Sequence, residues 1–325
     1  MSHPYEQLTP ERVLTALEAC GILPDGHLLA LNSYENRVFQ VGIEGGPPMV
    51  AKFYRPDRWP DAAIHEEHAY AAELAAAEIP VVAPWADGDG QTLFQEQGFR
   101  FALFPRRGGR APEPGDLDQL EWIGRFIGRI HLAGQGRPFT DRPTIDVPGM
   151  GGTARDTVLG SALLPAHERD AYAGVTSELL DAIDTVLHDV APAAVRLHGD
   201  FHHGNILWTD QGPHFVDLDD CRNGPAVQDL WMLLSGDRAE RTVQLSAMLD
   251  GYALFRDIDL RELQLVEALR GLRMVHYSGW LARRWADPAF PAAFPWAASA
   301  HYWTQHIQDL RQQLDALHEP PLRLF

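Results

Sequence analysis

The sequence predicts an α+β protein of two lobes: a small antiparallel sheet with one key helix over residues 1–105, then a larger, mainly helical lobe over 106–325. Three observations predict it. Short strand-like runs crowd the first hundred or so residues, and helical spacing of apolar residues takes over past RRGGR (106–110). The length, 325 residues, leaves room for two lobes with a substantial core. RRGGR is therefore the expected hinge.

The elements follow in order. Thr9 caps a first helix, Pro10 suits its first turn, Val13, Leu14 and Leu17 form its apolar face, and Gly21 stops it. HLLALN (27–32) and RVFQVGI (37–43) read as strands separated by SYEN, with PMVAKFY (48–54) a third. DAAIHEEHAYAAELAAAEIP (61–80) reads as a helix ending before Pro80, and QTLFQEQ and FRFALF as a hairpin around Gly98. Leu117, Leu120, Ile123, Ile127 and Ile130 repeat at helical spacing. The Gly-, Pro- and Thr-rich stretch 135–157 reads as a long irregular connection. NILW (205–208) and HFVDL (214–218) are short strands joined around Gly212-Pro213. The rest is helical, closing on the stripe Trp303, Ile307, Leu310, Leu314 and Leu317. There is no internal repeat.

Composition excludes several classes. Hydrophobic residues make up 45% and charged residues 22%, ordinary for a globular chain. No apolar run approaches bilayer length, and MSHPYEQLTPERV lacks the basic and apolar regions of a secretory signal. Cys20 and Cys221 make no disulfide framework, so a reducing cytoplasm is expected. A net charge of −18 with no basic segment argues against nucleic-acid binding.

Two constellations carry chemistry. In a pleated strand Val50, Lys52 and Tyr54 share a face, and Ile64, Glu67, Ala71 and Leu74 share a face of the next helix. A carboxylate within that apolar stripe is costly unless paired, and Lys52 is the obvious partner. Two solvated side chains is the bland alternative; Glu66 falls on the more polar face.

The second is LHGDFHHGN (197–205). His198, Asp200, His202 and His203 are suitable transition-metal ligands at close spacing, but no second His or Cys cluster follows. Downstream, FVDLDD offers hard oxygens instead. Two carboxylates about 4 Å apart repel by about 4 kcal/mol at an effective dielectric near 20. Asp217, Asp219 and Asp220, with Asp200 approaching them and the amide of Asn205, therefore call for a hard divalent cation, Mg²⁺. Asp219 is equally well a strand-ending turn residue, and for Asp220 that is the favoured reading. The order His198-x-Asp200-x4-Asn205, hairpin, Asp217, with an upstream Lys–Glu pair, is the order of parts in phosphoryl transfer.

The segments LNSYENRVFQ, KFYRPDRW, HGDFHHGNILW, FVDLDDCRNGPAVQDLWMLL and RRWADPAFP with FPW run nearly the whole length. With them the chain resembles the kinase-like superfamily of aminoglycoside phosphotransferases, choline kinases and homoserine kinases, and within it the bacterial stress-response Ser/Thr protein kinases. The resemblance implies a bilobal protein-kinase-like fold. It also implies ATP- and Mg²⁺-dependent transfer to Ser/Thr hydroxyls of a protein or peptide, by a cytoplasmic monomer. Carried over by position, Asp200 is the catalytic proton acceptor, and Asp217 is an active-site residue. Asn205 and Asp217 are the Mg²⁺ ligands, Ser33 contacts ATP, and Lys52 with Glu67 holds its phosphates. The alternatives are a small-molecule kinase of the same fold, a non-catalytic nucleotide-binding module and the histidine metallohydrolase.

The chain departs from eukaryotic protein kinases. The turn 33–36 has no glycine, and must meet phosphate through hydroxyl or backbone N–H groups. His-Gly-Asp replaces His-Arg-Asp, removing the reader of an activation-loop phosphate. Eleven residues between Asp217 and Asp229 leave no room for such a loop, so activity without its phosphorylation is expected. His198 is expected to anchor the loop, His202 and His203 to fill it or face substrate, and Asp229 to accept hydrogen bonds from the loop backbone. Arg106 and Arg107 are expected to be solvated at the hinge, where backbone groups meet the adenine. The aromatic- and arginine-rich stretch 273–296 is read mainly as core, with some side chains lining an acceptor groove.

Overall fold

The computed structural model describes residues 5–322 and 324. In chain order the first elements are α1 (Pro10–Ala19), β1 (Pro24–Ala30), β2 (Arg37–Ile43), β3 (Met49–Phe53), α2 (Asp61–Ala76), β4 (Phe94–Glu96) and β5 (Phe99–Pro105). Then come α3 (Leu117–Gly134), α4 (Thr153–Gly160), α5 (Arg169–Val190), β6 (Val195–Leu197), β7 (Ile206–Thr209), β8 (Gly212–Phe215) and β9 (Arg222–Gly224). Five helices close the chain: α6 (Gln228–Trp231), α7 (Arg238–Tyr252), α8 (Leu265–Arg284), α9 (Ala289–Ala293) and α10 (Ala300–Ala316). Among the described residues no helix is long and apolar enough to cross a membrane.

The chain forms two compact units. The first is the chain up to Glu113 with Phe139–Arg142 and Asp200–Cys221; the second is Pro114–Pro138, Pro143–Gly199 and the chain from Arg222 on. These limits differ from a single break at 105/106, because backbone pairing draws the β7–β8 hairpin into the first unit. Val82 N–H donates to Phe215 O at 2.9 Å and Phe215 N–H to Pro80 O at 2.8 Å. Arg110 N–H donates to Trp208 O at 3.0 Å, and Trp208 N–H returns the bond. Here RRGGR needs its glycine: a Cβ on Gly109 would lie 2.8 Å from the Leu207 carbonyl carbon.

The first unit is built on a sheet of five antiparallel strands in the order β1-β2-β3-β5-β4. Strand alternation gives it two apolar faces. Ala51, Phe53, Phe101 and Leu103 pack with Val13 and Leu17 of α1. Tyr54 and Ala102, on the opposite face, pack with Ile64 of α2. Thr9 caps α1 as expected, accepting the Arg12 N–H at 3.4 Å. Lys52 lies at mid-sheet, between Val38 on β2 and Ala102 on β5.

The second unit is mainly helical. α3 and α7 pack so closely that a Cβ on Gly251 would fall 2.0 Å from Glu121 O. β6 and β9 form a short antiparallel ladder. The connection expected over 135–157 is partly regular. Val147–Gly152 is a π-helical turn running into α4. Asp146 caps the turn through Gly149 N–H at 2.6 Å, and Gly151 packs where a Cβ would meet Leu180 Cδ2 at 2.4 Å. Glycine serves close packing there, so its density is no sign of a loop.

Candidate active site

In the first unit, β3 places Lys52 on the α2 face of the sheet, and α2 presents Glu67 to it. The Lys52 ammonium donates to Glu67 Oε1 at 3.2 Å, both side chains being buried. Glu66 turns elsewhere: its carboxylate accepts the N–H groups of Thr140, Asp141 and Arg142 at 2.7–2.9 Å and the Thr140 hydroxyl at 2.9 Å.

The β7–β8 hairpin assembles the other half. Ile206 pairs with Phe215, and the next bond out is Val216 N–H to Asn205 O at 3.0 Å. The two strand ends thus carry Asn205 and Asp217 at one end of the hairpin. Asn205 Nδ2 donates to Asp200 O at 2.9 Å, and lies 3.5 Å from Asp200 Oδ2. Asp217 reaches the same lysine, Oδ1 accepting from Lys52 at 3.2 Å, while its side chain stays half exposed. Its backbone is left-handed, φ 61° and ψ 66°, a conformation Asp tolerates better than most residues. Lys52 therefore joins Glu67 and Asp217, Asn205 joins Asp200, and the Val216–Asn205 backbone bond brings the two groups to one end of the hairpin. Ser33 lies half-buried in the β1–β2 turn, three residues before Asn36, which joins the Lys52 group through Asp219.

The loop histidines have separate duties. Nδ1 of His202 accepts the Gly204 N–H at 2.9 Å, which fixes the proton on Nε2, 3.4 Å from Asp200 Oδ2. His203 is half-buried, and burial lowers its pKa. Among the described residues no group of three or more His, Cys, Asp and Glu side chains is placed to hold a metal ion, so the histidine metal centre finds no ligand set.

In the second unit Asp229, fully buried, accepts the His198 and Gly199 N–H groups at 2.9 Å each. His131 Nε2 is 3.0 Å from its Oδ2, and His131 Nδ1 is 3.1 Å from the Tyr252 hydroxyl. Asp229 thus ties down the backbone immediately before Asp200, as the sequence suggests.

Residues 27–266 match the model of the phosphotransferase enzyme family. The chain belongs to that family. Among its phosphotransferase relatives is serine/threonine protein kinase RdoA of Salmonella typhimurium LT2, 47% identical over 320 residues, covering 98% of this chain and 97% of that protein. Stress response kinase A of Escherichia coli K12 is 46% identical with the same coverage. Amicoumacin kinase hAmiN, solved with AMP-PNP, Ca²⁺ and Ami, has a TM-score of 0.73 at 17% identity, covering 96% of this chain and 95% of that one. A microcompartment-associated aminopropanol kinase has 0.69 at 20% identity, covering 92% and 94%. These two likenesses are of fold: the phosphotransferase fold of an antiparallel-sheet lobe and a helical lobe, as the sequence predicts.

Arg58 and Arg142 escape sequence reasoning, and Asp219, left open between cation ligand and turn residue, lies buried in a 3₁₀ turn. Lys52 lies 3.1 Å from its Oδ1, Asn36 Nδ2 donates to its Oδ2 at 3.1 Å, and Arg58 pairs with the same oxygen. Arg58 also donates to Asp220 Oδ1 at 2.9 Å. Arg142, buried, donates to the carbonyls of Cys221 at 3.0 Å, Leu218 at 3.3 Å and Asp219, and stacks 4.3 Å from the Trp59 ring centroid. Arg142 thereby joins the 218–221 turn to the loop held by Glu66 of α2. The segment 218–228, LDDCRNGPAVQ, contains no Ser, Thr or Tyr. The Arg142 guanidinium holds its first part, 218–221.

Burial and neighbouring charge shift the titrating groups of the site in different directions. Burial works against the Lys52 ammonium, but Asp219, Glu67 and Asp217 outweigh it and hold its pKa well above the usual lysine value. Burial likewise opposes ionisation of Asp219, yet Arg58 and Lys52 hold it below the usual carboxylate range. Glu67 goes the other way: burial raises its pKa beyond what Lys52 restores, its second oxygen having Arg142 only at 4.0 Å. Burial raises the Cys221 thiol to about 12, so it stays protonated.

Proposed function

We propose that the protein is an ATP- and Mg²⁺-dependent kinase that phosphorylates Ser/Thr hydroxyls of a protein or peptide, as a cytoplasmic monomer in a bacterial stress response. The observation that carries the proposal is the shared set around Lys52, with Asp217 and Glu67 each at 3.2 Å. The relatives at 46–47% identity, named Ser/Thr and stress response kinases, support a protein acceptor.

Each residue has a part. The Asp200 carboxylate accepts the proton of the attacking hydroxyl; Asn205 and His202, at 3.5 and 3.4 Å from its Oδ2, orient it. Asn205 spends its NH₂ group on Asp200 O, which leaves the amide oxygen as the atom it can offer a cation. Asp217 is half exposed and offers a carboxylate oxygen. These hard oxygens fit Mg²⁺, which when bound neutralises charge on the transferring phosphoryl group. Lys52, kept charged by its carboxylates and steadied by Glu67, holds the phosphates, and Ser33 meets them from the β1–β2 turn.

An ATP-consumption screen over Ser/Thr peptides, aminoglycosides, choline and homoserine tests the proposal. Turnover with peptides is expected. Turnover with one of the small molecules and none with peptides would move the acceptor to the small-molecule class.

A further inference from the structure

Asp219 has no part in the transfer just described, yet it is among the most heavily engaged groups of the first unit. Its Oδ2 is taken by Asn36 and Arg58, while Oδ1 lies 3.1 Å from the Lys52 ammonium with no hydrogen bond of its own among the described residues. The Asn36 side chain is itself fixed, its Oδ1 accepting the Arg55 N–H at 3.1 Å. Asn36 closes the Ser33–Asn36 turn, and Asp219 stands two residues beyond Asp217. One carboxylate therefore couples the turn, the lysine and the Asp217 segment.

Neither obvious role suits it. A solvated turn residue would not be buried among two cations and an amide. A metal ligand needs an accessible oxygen, and both oxygens of Asp219 are buried against the Lys52 and Arg58 cations. The chain also lacks glycine in the turn that would meet phosphate, so that turn cannot adapt by backbone freedom and must be held in place.

Resting on the nucleotide reading above, we propose that Asp219 is a positioning residue for ATP: paired with Arg58, it fixes Lys52 and, through Asn36, the Ser33–Asn36 turn in a phosphate-ready arrangement. It does not ligate the metal. Of the three carboxylates at Lys52, Asp217 is the one with an exposed face. Asp219 and Glu67 stay behind as the fixed walls of the lysine's site.

The test is ATP binding to the full chain in EDTA, by calorimetry, set beside the Mg²⁺ concentration that gives half-maximal turnover. Wild-type binding under these conditions is expected; its absence would remove the nucleotide reading and this inference with it. Given wild-type binding, Asp219→Asn and Asn36→Ala should each weaken metal-free ATP binding about tenfold. Neither should change the Mg²⁺ requirement. Because Asn36 acts through Asp219, the double variant should bind within about threefold of Asp219→Asn. Metal-free binding within twofold of wild type in both variants would overturn the proposal. So would a tenfold higher Mg²⁺ requirement for Asp219→Asn with unchanged metal-free binding, the behaviour of a ligand. Should Asp219→Asn fail to fold, Asn36→Ala leaves the Asp219–Arg58–Lys52 charges in place and decides alone.

Discussion

Replacing Arg142 by Ala removes the tie between α2 and the 218–221 turn. Three backbone carbonyls lose their donor, and Trp59 loses the guanidinium over its face. Hydrogen bonds to a charged group contribute about 1.5–3 kcal/mol each, and a desolvated cation–π contact about 2 kcal/mol. These do not add, and part is offset because the variant no longer buries a charge. Buried carbonyls left without a donor cost about 1–3 kcal/mol each, and after that offset the expected loss is about 3 kcal/mol. Arg142→Lys should lose less, about 2 kcal/mol, since one ammonium replaces part of the fork. Hydrogen exchange of the peptide spanning 216–224 is the assay, with urea unfolding of the full chain beside it. Protection of that peptide should fall at least a hundredfold in the Ala variant. Unchanged exchange with a loss below about 1 kcal/mol would refute the role of Arg142 as a tie.

Further outcomes follow from other contacts. Asp229→Asn turns an NH₂ group toward an N–H donor it now satisfies. It should cost about 2–4 kcal/mol of stability and lower kcat more than it raises KM, seen by melting and steady-state kinetics. Burial lowers His68 to about 3 and His306 to about 4, so the unfolded chain takes up protons that the folded chain refuses. Stability should therefore fall as pH drops below 6.5, by about 1.4 kcal/mol per histidine per pH unit until those values are neared. His306→Phe, which fits the stack between Tyr302 and Tyr172, should remove one histidine's share of the fall between pH 7.5 and 5.5; an unaltered pH profile would contradict this. Gly109→Ala should cost about 1–3 kcal/mol in unfolding assays by pressing on Leu207.

Legibility in the sequence tracks periodicity. Lys52 and Glu67 were readable because a strand and a helix each assign faces by counting, and burial of an unpaired charge is forbidden on either. The nearness of Asn205 and Asp217 follows from a short hairpin, which brings its flanks together. Asp219 has no such rule. It lies in a 3₁₀ turn directly after the left-handed Asp217, a change of backbone that residue counting does not anticipate. Arg142 lies in an aperiodic connection, and its partners are carbonyls, which leave no mark in side-chain composition. The Val147–Gly152 turn was hidden for a related reason: its glycine is selected by the nearness of Leu180, a tertiary fact.

The sharpest test is transfer of labelled γ-phosphate from ATP to a Ser/Thr protein in Mg²⁺, comparing wild type with Asp200→Asn. Phosphoserine or phosphothreonine should form with wild type, while the variant binds ATP equally well and transfers at least about a hundredfold more slowly. Transfer by the variant within a few fold of wild type would mean that another group takes the proton and that the site is wrongly assigned.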